Sequence, residues 1–266
     1  MSETNGTQPN PDGGGRRTAS RQRSRRRASK AVPIPSSPTL PDGGIAIVED
    51  GGSTIHLAPR QVALSVRYLL ARLQLNDAAG LPVRLAITSA LRGEGVTYIC
   101  RTLGAVLAHD LKRPVCIVDL NWFAQPREQV EDGPAGIVDV MHGRTTLDEV
   151  LIRTTDPNLC LVPAGNAPLA IRPALAEDLR LDPVLDELEQ RFEHLVLDLP
   201  PVLVSSDALT MARLCDAYAL VVRHGVTAEH HVRDAIDELR AAGLLGVVLN
   251  RATSKIPKRL RNLVSA

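Results

Sequence analysis

The stretch Leu85-Ala86-Ile87-Thr88-Ser89-Ala90-Leu91-Arg92-Gly93-Glu94-Gly95-Val96-Thr97 decides the fold. It opens as a short apolar run of strand type and passes through a glycine-containing loop. Residues 97–109 then follow with helical apolar spacing. A strand that feeds a helix through Gly or Ala, four residues, Gly, Lys and Ser or Thr is a phosphate-binding loop. Ala90 and Gly95 fill the small positions and Thr97 the hydroxyl position. Gly93 and Gly95 let the backbone turn its amides inward, and the helix start adds the positive end of its dipole. The candidate cofactor-binding set is therefore Arg92, Gly93, Glu94, Gly95, Val96 and Thr97, with the Thr97 hydroxyl placed to meet Mg²⁺.

Val96 is the departure. Lysine at this position places charge on the β- and γ-phosphates and supports the charge that develops during phosphoryl transfer. Valine does neither, and Arg92 is the cation within the loop that stands near enough to substitute. The competing reading is a tight strand-to-helix turn that binds nothing.

Working outward, residues 115–120, 159–163, 194–199, 217–223 and 245–250 read as further strands. Helices are expected over 183–192, 206–214 and 228–242, and an amphipathic helix over 59–75 carries Val62, Val66, Leu69, Leu70 and Leu73 on one side. Strands alternating with helices imply right-handed crossovers. The expected fold is α/β, a doubly wound and mainly parallel sheet with helices on both faces. In such a sheet ligands sit beyond the carboxyl ends of the strands. Asp119 and Asp198 end two of these strands, beside the loop, where carboxylates hold Mg²⁺ or orient a nucleophile. A strand-ending Asp also commonly caps the next turn. Two in correct order after a phosphate loop favour a site, so Thr97, Asp119 and Asp198 form the candidate metal set, with both aspartates as candidate catalytic groups.

Composition limits the alternatives. Aromatic residues are 2% of the chain, which argues against stacking platforms for single-stranded nucleic acid. Cys100, Cys116, Cys160 and Cys215 are scattered without metal-ligand spacing and read as small core residues of a reduced, cytoplasmic protein. No run has the length of a membrane span, and no signal peptide is expected. Residues 1–45 are rich in Gly, Pro, Ser, Thr and Arg, too polar to offset their ordering entropy, and are expected to be disordered. The expected organisation is a basic segment at 1–45, a nucleotide-binding domain at 46–253 and a basic tail at 254–266. Eight Lys or Arg between Arg16 and Lys30 fit an anionic membrane surface, nucleic acid or an acidic protein.

Residues 59–251 resemble the cytoplasmic kinase domain of bacterial tyrosine kinases of the capsular and exopolysaccharide type, a branch of the MinD/ParA class of P-loop ATPases. The resemblance is carried by residues 87–95, by Val-Cys-Ile-Val-Asp at 115–119, and by 194–209 with Asp198, Pro200, Pro201 and Asp207. Residues 136–165 and Leu245-Gly246-Val247-Val248-Leu249-Asn250-Arg251 also carry it. It implies ATP or ADP with Mg²⁺ as cofactors and places Asn250 near the adenine. It further implies a membrane-embedded polysaccharide co-polymerase as partner, at the inner face of the cell membrane, and homo-oligomeric assembly.

The departures fall on the chemistry. Beyond Val96, the family's second aspartate after Asp119 is Asn121, and the basic residues that follow are replaced around Trp122 and Phe123. Of the Glu-x-x-Arg-x-x-Arg assembly pattern, the matching positions are Leu64, Arg67 and Leu70. The family's terminal tyrosine cluster is answered by Lys255, Lys258, Arg259 and Arg261, while Tyr68, Tyr98 and Tyr218 lie in expected elements. Three functions follow in descending order. The first is a catalytically impaired regulatory or scaffold component of exopolysaccharide export. The second is a working ATPase or tyrosine kinase with Arg92 in place of the lysine. The third is a ParA-like positioning protein. Nucleic acid ranks last among partners.

Overall fold

A computed structural model describes residues 38–76, 80–122, 134–168, 171–240 and 243–252. The basic segment at 16–30, Phe123 and the basic residues from Lys255 onward lie outside the described residues.

An antiparallel pair, β1 (Ile45–Val48) and β2 (Thr54–Ala58), precedes α1 (Arg60–Asn76). The chain then runs through β3 (Arg84–Ser89), α2 (Val96–Leu111) and β4 (Val115–Asp119). Short helices α3 (Ile137–Met141) and α4 (Leu147–Val150) lead to β5 (Ile152–Arg153) and β6 (Leu159–Val162). There follow α5 (Arg172–Leu175), α6 (Leu181–Glu189), β7 (His194–Asp198), α7 (Asp207–Ala212), β8 (Ala217–Arg223), α8 (Glu229–Glu238) and β9 (Leu244–Asn250).

The main sheet has the order β5-β6-β4-β7-β3-β8-β9, and its pairs are parallel except for the antiparallel β5–β6 edge. The expected doubly wound α/β sheet is present. Successive strand side chains point to opposite faces, which divides the core in two. Ala86, Cys116, Val118, Leu195, Leu197 and Leu220 join the cluster that includes residues of α3 to α8. Leu85, Ile87, Ile117, Val196 and Val221 join the cluster with α1, α2 and the β1–β2 pair. Cys100 and Cys116 are buried, whereas Cys160 and Cys215 are partly exposed.

At the amino ends of the strands, Arg84 is the fixed point. Its guanidinium meets three α6 carboxylates, with Asp182 at 2.6 Å, Asp186 at 2.5 Å and Glu189 alongside. It also donates to the Leu214 carbonyl at 3.1 Å, and its backbone amide donates to Asp216 at 2.8 Å.

The hairpin and β5 are additions to the elements expected from sequence. Ile45 to Val48 are each at most 2% exposed, because the hairpin lies against α2 and seals that face of the sheet. His56, on β2, is buried with its Nε2 2.9 Å from the Thr102 hydroxyl and its ring edge-on to Tyr98. Burial in apolar surroundings, with Arg101 nearby, pushes the His56 pKa down to about 4.

Candidate functional site

The loop between β3 and α2 has the backbone that its glycines promised. Gly93 has φ 77° and Gly95 φ 98°, both in the left-handed region that side chains disfavour. Gly95 also has no room for a side chain, since a Cβ there would lie 2.2 Å from Asn250 Nδ2. That amide donates to the Glu94 carbonyl at 2.8 Å, so the last residue of the edge strand holds the loop. Glu94 is 3% exposed; its carboxylate accepts from the Leu91 amide at 3.1 Å and from the Thr227 hydroxyl. The loop is thus fixed from β9 on one side and from the β8–α8 turn on the other.

The loop lines a cavity of about 320 Å³ with Ser89, Arg92, Gly93, Glu94, Gly95, Val96, Thr97, Asn121 and Pro201. Arg92 and Gly93 are exposed at its mouth. Val96, 7% exposed, is packed into the apolar cluster of the α1/α2 face. The position that would carry the loop's lysine has become part of the core. A wider cavity of about 600 Å³ adjoins the loop at Gly95 and Asn250, between Val62, Val66 and Leu69 of α1 and Val247 to Leu249 of β9.

On the other side of Thr97, a cavity of about 190 Å³ brings together Thr97, Arg101, Asp119, Asp198 and Glu49 among apolar walls. Asp119 and Asp198 are register partners on β4 and β7, so the sheet itself sets the carboxylates side by side. Burial, then the neighbouring Asp119, push the Asp198 pKa up to about 7, against the opposing pull of the Thr97 hydroxyl and Arg101. Asp119 is raised by burial as well, partly offset by the Asn121 amide, which donates to its Oδ1 at 2.9 Å. Asp198 Oδ1 is buried with no hydrogen-bond partner among the described residues. Buried oxygens are normally satisfied. A hydroxyl and two carboxylates, one of them with an orphaned oxygen, suit a hard divalent cation such as Mg²⁺.

The structure therefore collects Thr97, Asp119 and Asp198 in one cavity and Arg92 to Thr97 around another, with Thr97 common to both. Asn250 stands between the loop and the wider cavity. Two contributors went unread in the sequence: Arg101, and Glu49 from the hairpin. The signal for Arg101 was its place four residues after Thr97, one turn along the same helix face. The residue surviving from the assembly pattern, Arg67, is engaged within the chain, with Asp110 at 2.5 Å and the Gly43 carbonyl at 3.4 Å. Leu70 is buried.

No family model matches the chain. The tyrosine-protein kinase CpsD of Streptococcus agalactiae is 26% identical over 181 residues, covering 65% of this chain and 75% of that one. The kinase domain of the Escherichia coli tyrosine kinase ETK superposes with a TM-score of 0.62 at 23% identity, covering 73% of this chain and 77% of that one. Cobyrinic acid a,c-diamide synthase of Mycobacterium smegmatis, solved with an ATP analogue and magnesium, has a TM-score of 0.50 at 20% identity, covering 68% and 80%. Among the described residues no helix is long and apolar enough to cross a membrane. By these matches the chain is a divergent relative of the bacterial tyrosine kinases of capsular and exopolysaccharide synthesis, within the MinD/ParA class of P-loop ATPases.

Proposed function

We propose that this chain is a catalytically impaired relative of those kinases that binds nucleotide and acts as a regulatory or scaffold partner of a membrane-embedded polysaccharide co-polymerase. It works at the cytoplasmic face of the membrane, with its basic N-terminal segment adding attraction to anionic lipid. The observation that carries this reading is Val96, whose side chain belongs to the apolar core. Phosphoryl transfer relies on positioning and on neutralising charge at the phosphates. The loop amides and the α2 dipole still serve binding, but the charge that drives turnover is gone.

Phosphates fit the cavity lined by Arg92 to Thr97, and a planar base fits the cavity beside Asn250. Thr97, Asp119 and Asp198 would hold Mg²⁺, which when bound supplies charge neutralisation at the phosphates. Asn121 at the loop cavity has no charge to add.

Calorimetric titration with Mg²⁺-ATP and Mg²⁺-ADP, with turnover followed in parallel, tests the proposal. Weak binding without hydrolysis is expected. Val96→Lys, restoring a charge-assisted phosphate contact worth about 1.5–3 kcal/mol, should tighten binding by roughly 10–100-fold. Hydrolysis or tyrosine phosphorylation by the wild-type chain at rates ordinary for its relatives would overturn it. That outcome would favour the second reading, in which Arg92, exposed at the cavity mouth, replaces the lysine.

A further inference from the structure

Arg101 faces the carboxylate side of the site from α2. It lines the same small cavity as Thr97, Glu49, Asp119 and Asp198. Its Nη1 reaches the Ile55 carbonyl of β2 at 3.4 Å, which anchors the side chain to the hairpin. Among the described residues it makes no ion pair, in contrast to Arg67 and Arg84. Its field nevertheless falls on the cavity, favouring the ionised forms of Asp119 and Asp198 and opposing protonation of His56. No group of three His, Cys, Asp or Glu suited to a metal occurs among the described residues.

We infer that Arg101 is a built-in counter-ion of the Asp119–Asp198 pair and holds down the affinity of that pair for a divalent cation. The inference rests on the reading of these carboxylates as the metal side of a nucleotide site. A guanidinium is permanently charged and, tethered to the hairpin, stays close when a metal ion arrives. A divalent ion that enters beside the carboxylates meets repulsion from a fixed positive charge in a poorly solvated cavity. The site has thus lost a cation on its phosphate side, at Val96, and holds one on its carboxylate side. Both changes weaken metal-nucleotide binding.

The test is a titration of the full chain with Mn²⁺ alone, read by the loss of the free-ion paramagnetic resonance signal, above the pH range in which Asp198 titrates. Wild type, Arg101→Met and Arg101→Lys are compared, with Arg101→Gln in reserve should Met fail to fold, and thermal unfolding reports on integrity. Removing one charge from the cavity that holds the divalent ion should tighten Mn²⁺ binding by about tenfold or more. Arg101→Lys should bind as wild type does. Equal or weaker binding by folded, charge-free variants overturns the inference, as does the absence of Mn²⁺ binding in every chain. A purely structural role for Arg101 produces weaker binding, the opposite sign. Nucleotide is absent from this experiment, so its failure leaves the reading of the loop standing, and the two failures are told apart by which titration is silent.

Discussion

The two ends of the sheet treat charge in opposite ways. At the amino ends, the guanidinium of Arg84 is surrounded by Asp182, Asp186 and Glu189, and its remaining donors reach a backbone carbonyl. At the carboxyl ends, Asp119 and Asp198 are placed against each other, and an oxygen of Asp198 is buried with no partner. Both ends belong to one sheet, and the contrast here lies in the side chains set at each. Complementary charge at one end locks β3, α6 and the start of β8 together. Like charge at the other costs stability and leaves a place for a cation. Perturbed carboxylates that line a cavity are candidates for functional sites.

The largest effect that separates the ends is a pH dependence that the wild type conceals. Asp198, raised from 3.8 to about 7, keeps its proton in the native state where the unfolded chain has lost it, so its contribution to stability falls as pH rises through that window. His56, lowered from 6.5 to about 4, is neutral in the native state where the unfolded chain is charged, so its contribution rises with pH over nearly the same window. Each amounts to about 3–4 kcal/mol at most, and the two oppose each other. Asp198→Asn should therefore expose a steep gain of stability from about pH 4 to 6.5 in urea unfolding. His56→Gln should expose the reverse slope, continuing to about pH 7. A flat profile in both variants would contradict the environments assigned to these groups.

At the other end, Arg84→Met should lower the unfolding free energy by about 2–3 kcal/mol. This is less than the loss of a fully buried pair, because the orphaned carboxylates are partly exposed and recover water. Denaturant midpoints at neutral pH measure it. Nucleotide binding should be unaffected in protein that remains folded, since no Arg84 contact approaches the loop.

Asn250→Ala should have the smallest effect on stability, about 1 kcal/mol for one hydrogen bond. Its sharper readout is amide exchange. Protection in residues 91–97 should fall while that at the amino end of β3 is retained. Equal loss at both ends would mean that Asn250 supports the whole sheet rather than the loop.

Much of this arrangement was legible in the sequence, where local pattern and tertiary role coincide. The run from Leu85 to Ser89 is apolar because both faces of β3 are covered, and Gly93 and Gly95 stand where the backbone needs positive φ. Asp119 and Asp198 were readable as strand ends. Their register partnership was not, because pairing between β4 and β7 is fixed by the whole sheet. Ile45-Ala46-Ile47-Val48 was a readable apolar run, masked by the polar, glycine-rich segment before it and the short glycine turn after it. β5 is two residues long and gives no periodic signal. Arg101 looked like an ordinary helix residue, since what makes it notable is the hairpin carbonyl and the carboxylates it faces. Val96 was seen as a missing lysine, but that its side chain is core became apparent only from packing.

The tether between Asn250 and Glu94 also sets the order in which the molecule is completed. The two residues are 156 positions apart, so the loop near the start of the sheet waits for the last strand before it is held. Contacts of such separation form late, after the entropy of closing the intervening chain has been met. A polypeptide emerging from the ribosome therefore presents strands, helices and both aspartates before it presents a fixed phosphate loop. The nucleotide binding proposed for the loop would then be completed last, once β9 has joined β8.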